Sequence, residues 1–280
     1  MRLFVLALFC SLAVPTTTTQ AQPEDSLGWD HDLKAGLNFT QVAFKDWSKG
    51  GSNSLAYVAQ MIGISQQEEL TTRWTNSYKL IFGQTKLEDV GLRKTDDEIN
   101  LESLLMWKVG IYVNPYAAVT AKSQFAPGYQ YTDTLAVPTS RFFDPLYLTQ
   151  SVGLGYEPNT FIKTRLGAAL RETFTNHYNQ YADDAATVEV ERTKIEGGLE
   201  SVTELTVPIE ESVLLGSKVE LFSAFKTFDR VVMNAQASLV LKASEWFNAT
   251  IAANAINDWQ VSRRTQLKEA ISIGISYVLF

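Results

Sequence analysis

Ile271-Ser272-Ile273-Gly274-Ile275-Ser276-Tyr277-Val278-Leu279-Phe280, the last ten residues, decide how the rest of the chain is read. Ile271, Ile273, Ile275, Tyr277 and Leu279 alternate with Ser272, Gly274 and Ser276. Successive side chains of a strand point to opposite faces, so this spacing makes one apolar and one polar face. Working back, the period recurs. Leu33, Ala35, Leu37 and Phe39 alternate with Lys34, Gly36, Asn38 and Thr40. Ile99, Leu101, Leu105, Trp107, Val109 and Ile111 oppose Asn100, Glu102 and Lys108. Val213, Leu215, Val219, Leu221 and Phe225 oppose Gly216, Lys218 and Glu220. About twelve such blocks, an even number, are separated by Gly, Asn, Asp and Pro clusters. They begin near Asp32, Ser54, Arg73, Glu98, Tyr116, Leu146, Phe161, Val190, Ser212, Arg230, Phe247 and Thr265.

Composition narrows the function classes. Twenty-four basic and 31 acidic side chains give a net charge of −7 over 280 residues, which argues against a nucleic-acid binder and its clustered basic surface. One Cys excludes a disulfide scaffold and a cysteine-rich zinc site, and two His restrict catalytic designs. Residues 1–21 read as a cleaved signal peptide: Arg2, the apolar run Leu3–Val14, then Thr19-Gln20-Ala21 with small outer positions. About twelve apolar residues are too few for a helix spanning a hydrocarbon core. Residues 22–280 are expected to form a single domain, without Cys10 and outside the cytosol.

Alternation alone fits a soluble sandwich as well as a barrel. Three features favour an all-β, transmembrane antiparallel barrel of the outer-membrane type with about twelve strands. First, links after odd-numbered strands are long (45–53, 83–97, 126–145, 175–189), whereas those after even-numbered strands are tight, as at Asn114-Pro115, Glu157-Pro158-Asn159 and residues 208–211. Second, aromatics gather near block ends, as girdles require: Trp74 and Tyr78, Trp107 and Tyr112, Tyr147 and Tyr156, Trp246 and Phe247, and Trp259. Third, the chain stops inside a strand. Tyr277 and Phe280 resemble the C-terminal signal read by the outer-membrane assembly machinery, although Phe280 falls out of phase with the apolar face. Closure follows from chemistry: in hydrocarbon each unpaired N–H or C=O costs several kcal/mol, roughly, so the first and last blocks should pair.

Several segments in order resemble the bacterial outer-membrane proteins grouped as domain of unknown function 3078. They are Asp46-Trp47-Ser48-Lys49-Gly50-Gly51-Ser52-Asn53-Ser54-Leu55, Arg93-Lys94-Thr95-Asp96-Asp97, Gln124-Phe125-Ala126-Pro127-Gly128-Tyr129-Gln130-Tyr131, Ser140-Arg141-Phe142-Phe143-Asp144-Pro145-Leu146-Tyr147-Leu148 and Gly153-Leu154-Gly155-Tyr156-Glu157-Pro158. The resemblance implies an outer-membrane barrel in a Gram-negative-type envelope and brings no catalytic residues. On the residues themselves, Gly50-Gly51 and Pro127-Gly128 suit tight turns. Trp47, Tyr129, Tyr131, Phe142 and Phe143 add aromatic mass to external loops, and Arg93, Lys94, Asp96 and Asp97 read as loop-to-loop ion pairs. Asp183 and Asp184 suggest either a hard-cation site or a solvated loop.

Neither His31, between Asp30 and Asp32, nor His177 sits in a His-x-Ser pattern, so no catalytic set is expected, nor any metal or cofactor. If the apolar faces meet lipid, the opposite faces line a lumen. Lys79, Lys108, Lys122, Lys163, Arg165, Arg171, Arg192, Lys194, Lys218 and Lys268 would stand there against Glu102, Glu196, Glu200 and Glu220, giving a mixed but basic wall. Two function classes stay open: a narrow pore for small, anionic solutes, or a closed barrel whose loops serve structure, adhesion or a partner. The lipid bilayer and lipopolysaccharide are the other expected contacts.

Overall fold

The computed structural model describes residues 28–42, 53–88, 90–132, 135–184, 186–259, 262 and 264–279. The expected leader, Trp47, Gly50, Gly51 and Phe280 lie outside the described residues. The strands are β1 (Trp29–Val42), β2 (Ser54–Glu68), β3 (Thr72–Leu87), β4 (Gly91–Trp107), β5 (Val113–Ser123), β6 (Gly128–Tyr131), β7 (Ala136–Ser140), β8 (Leu146–Tyr156), β9 (Ile162–Phe174), β10 (Thr193–Glu210), β11 (Val213–Ala224), β12 (Val231–Lys242), β13 (Phe247–Asn257) and β14 (Gln266–Val278). Twelve of them close an antiparallel barrel in the order β1-β14-β13-β12-β11-β10-β9-β8-β5-β4-β3-β2, while β6 and β7 form a separate hairpin within the β5–β8 link. Closure is made by β1 against β14 over Lys34–Phe39 and Ile273–Val278, so the first and last barrel strands pair. No helix of the described residues is long and apolar enough to cross a membrane; the strands supply the span.

The chain alternates between two ends of this cylinder. At one end lie the tight turns, set by side-chain acceptors rather than by long loops. Asn114 Oδ1 accepts the N–H groups of Val109 and Gly110, both at 2.9 Å, and Asn159 Oδ1 accepts those of Phe161 and Ile162 at 2.9 and 3.0 Å. Each replaces ladder bonds that the reversing backbone gives up. At the other end lie the longer links, including the β6–β7 hairpin and a 3-10 turn at Asn179–Tyr181.

The structure corrects the β3–β4 link. An external loop is expected over 83–97, yet β3 runs to Leu87 and β4 starts at Gly91, so Arg93, Lys94 and Asp96 stand on a strand. Both faces of Arg93–Glu98 are polar, which hides the period, and a register shift between Gly83 and Gln84, opposite Asp96 and Lys94, breaks its phase. Val109 and Ile111 likewise leave the strand, because β4 ends at Trp107.

The outward face is apolar. Ile271, Ile273 and Ile275 are 77, 56 and 50% exposed, and Val119, Val152, Leu154, Leu166 and Ile251 join them around the barrel. A soluble monomer does not leave so continuous an apolar surface to water. The aromatic girdle is concentrated at the tight-turn end: Trp29 and Trp74 touch at 5.4 Å between centroids, and Trp107, Tyr156, Trp246 and Phe247 share that level. Two expected girdle members stand elsewhere. Tyr147 lines the lumen, and Trp259 lies beyond β13 beneath the Arg230 guanidinium at 4.3 Å.

Inside, Tyr116 is the largest fully buried side chain among the described residues. Tyr116 on β5 is 2% exposed and lies against Gly167 of β9. A methyl added at Gly167 would press into the Val152 carbonyl and lie 2.6 Å from the Tyr116 hydroxyl. Gly167→Val should therefore destabilise the barrel by about 2 kcal/mol or more, read as a lower urea midpoint for the loss of heat-modifiable electrophoretic mobility, while Ile271→Val on the exposed outward face changes it little.

Candidate functional site

Side chains on strands that are not neighbours meet only through the lumen, and these contacts identify its wall. The guanidinium of Arg165 on β9 grips Glu102 on β4 bidentately at 3.0 and 2.5 Å. Both side chains are 9% exposed. Thr120 on β5 also donates to Glu102 at 3.2 Å. Lys218 on β11 lies 2.8 Å from Glu204, 3.7 Å from Glu220 and 4.0 Å from Glu102. Lys122 on β5 pairs with Glu220, which Asn234 on β12 also reaches at 3.4 Å. Two further bridges cross the barrel. Lys79 on β3 reaches Glu98 at 2.8 Å and donates to Gln236 on β12 at 2.7 Å, and Lys268 on β14 pairs with Asp96 on β4.

These bridges alter the expected charge balance. Asp96, Glu98, Glu204 and Asp258 join the acidic side of the interior, so the wall is mixed without the basic excess expected of it. Two expected lumen residues leave the wall altogether. Lys108 follows the end of β4 and is tied into the tight turn by Glu68 at 2.6 Å and the Glu69 carbonyl at 2.5 Å. Arg192 precedes β10, where its carbonyl accepts from the Thr175 N–H at 2.8 Å. In both cases strand alternation was extended past the strand's end. Lys163 on β9 is exposed, opposite Glu204 in register, and Lys194 pairs with Glu196 at 3.0 Å.

Towards the long-loop end the interior opens into a cavity of about 570 Å³. Its wall includes Lys79, Glu98, Lys122, Arg171, Glu220 and Lys268. Elsewhere the lumen face of β12–β14 and β1 carries small or uncharged residues such as Ser238, Ala252, Ser272, Gly274 and Asn38, with the Asp32–Lys34 pair of β1 at 2.7 Å towards the tight-turn end.

Segments far apart in sequence converge on the rim of this cavity. Beyond Ile99 the pairing of β4 with β5 stops. There the Asp97 carboxylate accepts the N–H groups of Phe125 and Ala126 at 2.6 and 2.9 Å, taking the place of ladder bonds. Lys94 bonds to Asp97 and to the Ala126 carbonyl, both at 2.7 Å, and Arg93 lies 3.9 Å above the Tyr131 ring. Gly128 passes so close to Ser140 that no side chain fits, Pro127 precedes it, and Tyr129 stands beside Tyr131. Phe142 and Phe143 contact edge to face at 4.6 Å. Asp144, 2% exposed, accepts from the Asn176 and His177 N–H groups at 3.1 and 2.7 Å and so joins this loop to the β9–β10 loop. The expected loop-to-loop ion pairing is thus mostly carboxylate to backbone.

Asp183 and Asp184 serve the β9–β10 loop. Asp183 accepts from the Glu191 N–H at 3.0 Å and Asp184 from that of Ala186 at 3.1 Å. Among the described residues no group of three or more His, Cys, Asp or Glu side chains is arranged to hold a metal. The structure does bring together one pair that spacing missed: His31 Nδ1 and Ser65 Oγ, register partners on β1 and β2, lie 2.7 Å apart beside the Trp29 ring. Their 34-residue separation, with both on the outward face, gave no sequence signal. Among the described residues no acid reaches the other ring nitrogen, and Asp32 is turned to Lys34 at 2.7 Å.

A closed twelve-strand barrel with an apolar outer face and a charged interior is a transmembrane β-barrel of the outer-membrane type. Residues 39–129 match the family described as "Protein of unknown function (DUF3078)". That match takes in the segments beginning at Asp46 and Arg93 and the one beginning at Gln124 as far as Tyr129; those beginning at Ser140 and Gly153 lie beyond it. No curated protein matches the chain. Among solved structures it is similar to the translocator domain of autotransporter NalP from Neisseria meningitidis (11% identity, 91% of this chain and 90% of that one, TM-score 0.41). It is also similar to the COG4313 outer membrane channel from Pseudomonas putida F1 (9%, 92% and 99%, 0.42) and to the NanC porin (10%, 89% and 99%, 0.41). The barrel class rests on closure and on the outward face rather than on these likenesses.

Two measurements follow from the site. Breaking a buried pair strands its partner's charge, so Glu102→Ala should lower unfolding stability by about 3 kcal/mol in urea titrations, whereas Glu102→Leu with Arg165→Met should recover most of the loss. In the β9–β10 loop, hydrogen bonds from Thr187 and the Asp184 N–H hold the Glu191 carboxyl down to about 2. A depressed carboxyl stabilises the folded loop above its unfolded value, about 4.3, and the effect is lost as pH falls through 2. The Asp184 amide shift should titrate near that lower pH, and Glu191→Gln should abolish the transition.

Proposed function

We propose that the chain is a narrow, small-solute pore of the outer membrane, open to solutes from the long-loop side. The observation that carries this reading is the cavity of about 570 Å³ inside the barrel, lined by ionic and hydrogen-bonding side chains and continuous with the loop-side rim. A lumen meant only to be filled would be packed at this level as it is around Tyr116. A twelve-strand cylinder encloses more width than eight strands, whose interior side chains just fill it. Because Asp96, Glu98, Glu102 and Glu220 offset the basic side chains, the general field favours anions only weakly, and any stronger preference must come from individual groups.

The bridges Lys79–Gln236, Lys122–Glu220 and Lys268–Asp96 favour a second reading, a closed structural barrel, because each spans the interior. In neither reading does the chain catalyse. Among the described residues no acid orients His31 beside Ser65, and the strand N–H groups that would bind an oxyanion are engaged in the ladder.

Planar-bilayer recording of the refolded chain separates the two. A pore should give small steps, and Lys122→Ala with Glu220→Ala should raise the conductance about twofold by removing one cross-lumen bridge. Silence from both the wild type and this double variant would overturn the pore and leave the closed barrel. Turnover of a p-nitrophenyl ester that Ser65→Ala abolishes would overturn the non-catalytic assignment.

A further inference from the structure

Among the described residues one cation of the loop-side cavity makes no ion pair, although Glu196 and Asp258 line the recess beside it. Lys79, Lys122, Arg165, Lys218 and Lys268 all have acidic partners. Arg171 on β9 has aromatic ones instead, with its guanidinium carbon 5.4 Å from the Tyr147 ring centroid and 5.5 Å from that of Phe222. Among the described residues it makes no ion pair and no hydrogen bond. Its register partner Glu196 lies 3.0 Å from Lys194. The arrangement is built into the wall: Phe222 reaches over Gly198, where a side chain would collide with the Ser223 carbonyl and come within 2.9 Å of the ring.

A cation without an ion pair in a confined site loses hydration that two aromatic faces only partly replace. What remains unmet are the planar N–H donors, whose fork geometry matches a carboxylate. Beside them the wall is apolar: Ala169, Phe222 and Ala224 are buried together with Val232 against them, and Ile256 lines the same cavity. We infer that Arg171, framed by Tyr147 and Phe222, is the binding site for a small organic anion, a monocarboxylate with an apolar body whose charged end meets the guanidinium and whose body meets Phe222 and Val232. Asp258 and Tyr181 line the adjoining recess and limit the charge and length the site admits. A strongly hydrated inorganic anion could satisfy the guanidinium only by giving up water to that apolar wall. The inference deepens the pore reading and rests on it only for the claim that the anion is carried rather than merely held.

Benzoate is the test ligand, titrated calorimetrically into the refolded full chain in detergent micelles, with empty micelles subtracted. Benzyl alcohol and sulfate separate the apolar and anionic contributions. Saturable benzoate binding is expected, with benzyl alcohol and sulfate each at least about tenfold weaker. Arg171→Gln should weaken benzoate binding by at least about tenfold, and Phe222→Leu by less. Lys163→Gln, at the opposite mouth, should leave it unchanged. Heat-modifiable mobility reports folding, and if Arg171→Gln does not fold, Phe222→Leu and the ligand series decide. Absence of benzoate binding, equal affinity for benzyl alcohol, tighter sulfate binding, or a folded Arg171→Gln that binds normally would each overturn the site. A chain that binds benzoate but conducts nothing loses the pore and keeps the site; one that conducts without binding benzoate loses the site and keeps the pore.

Discussion

The β1–β14 ladder is the constraint on which the rest depends. Backbone N–H and C=O groups facing hydrocarbon have no water to bond, so a sheet that crosses a bilayer is stable only when its two edge strands satisfy one another. Lys34–Phe39 against Ile273–Val278 does this, joining residues from opposite ends of the sequence. Once the sheet is closed, alternation assigns every second side chain to lipid and every other one to a shared interior. The apolar outer face and the charged inner face therefore follow from one act of closure.

That interior is neither a hydrophobic core nor bulk water. Charges that face it are partly dehydrated and gain free energy from partners, and in a cylinder the nearest partner of opposite sign often stands on the far wall. Glu102 with Arg165, Lys122 with Glu220, and Lys268 with Asp96 each join strands with other strands between them. Such pairs brace the cross-section as the ladder cannot, because hydrogen bonds between neighbouring strands fix spacing along the wall but not the distance across it. The same pairs also limit the space left for a solute. In this barrel most of the ionic bracing joins β4, β5, β9 and β11, and Gln236 of β12 and Lys268 of β14 tie the opposite side to β3 and β4.

Strand identity was largely legible because its signal is local: all but one of the expected starts lie within three residues of the observed ones. The exception, β4, carries polar residues on both faces at Arg93–Glu98, and a bulge there shifts the phase, so neither cue that marks a strand was available. Inward orientation was equally legible for Lys79, Lys122, Arg165, Arg171, Lys218 and Lys268, since it needs only the phase of each strand. What those side chains meet was not. Lys79 and Gln236 are 157 residues apart and Lys122 and Glu220 are 98 apart, and no periodicity encodes which walls face each other. The inward charges legible in the sequence therefore overstate the basic character, because Asp96 falls within the expected 83–97 loop and the inward phase of Glu98, at the expected strand start, is set by the register the bulge creates.

The exception within the pairing pattern bears most directly on function. Where a cation bridges the lumen, its position is fixed by the stability of the barrel, and mutation there changes stability and conductance together. Arg171 is held by rings instead of by an acid, so its charge is oriented but not neutralised. Cation–π contact leaves the N–H donors at the guanidinium edge available, whereas a bidentate carboxylate such as Glu102 on Arg165 occupies them. The framing aromatics, the space left by Gly198 and the adjoining apolar cluster all come from strands β8 to β12. A chain that had only to fill its lumen would satisfy this guanidinium with one of the many carboxylates already facing inward. Leaving it without an acidic partner in the loop-side cavity is the feature that structural bracing does not explain.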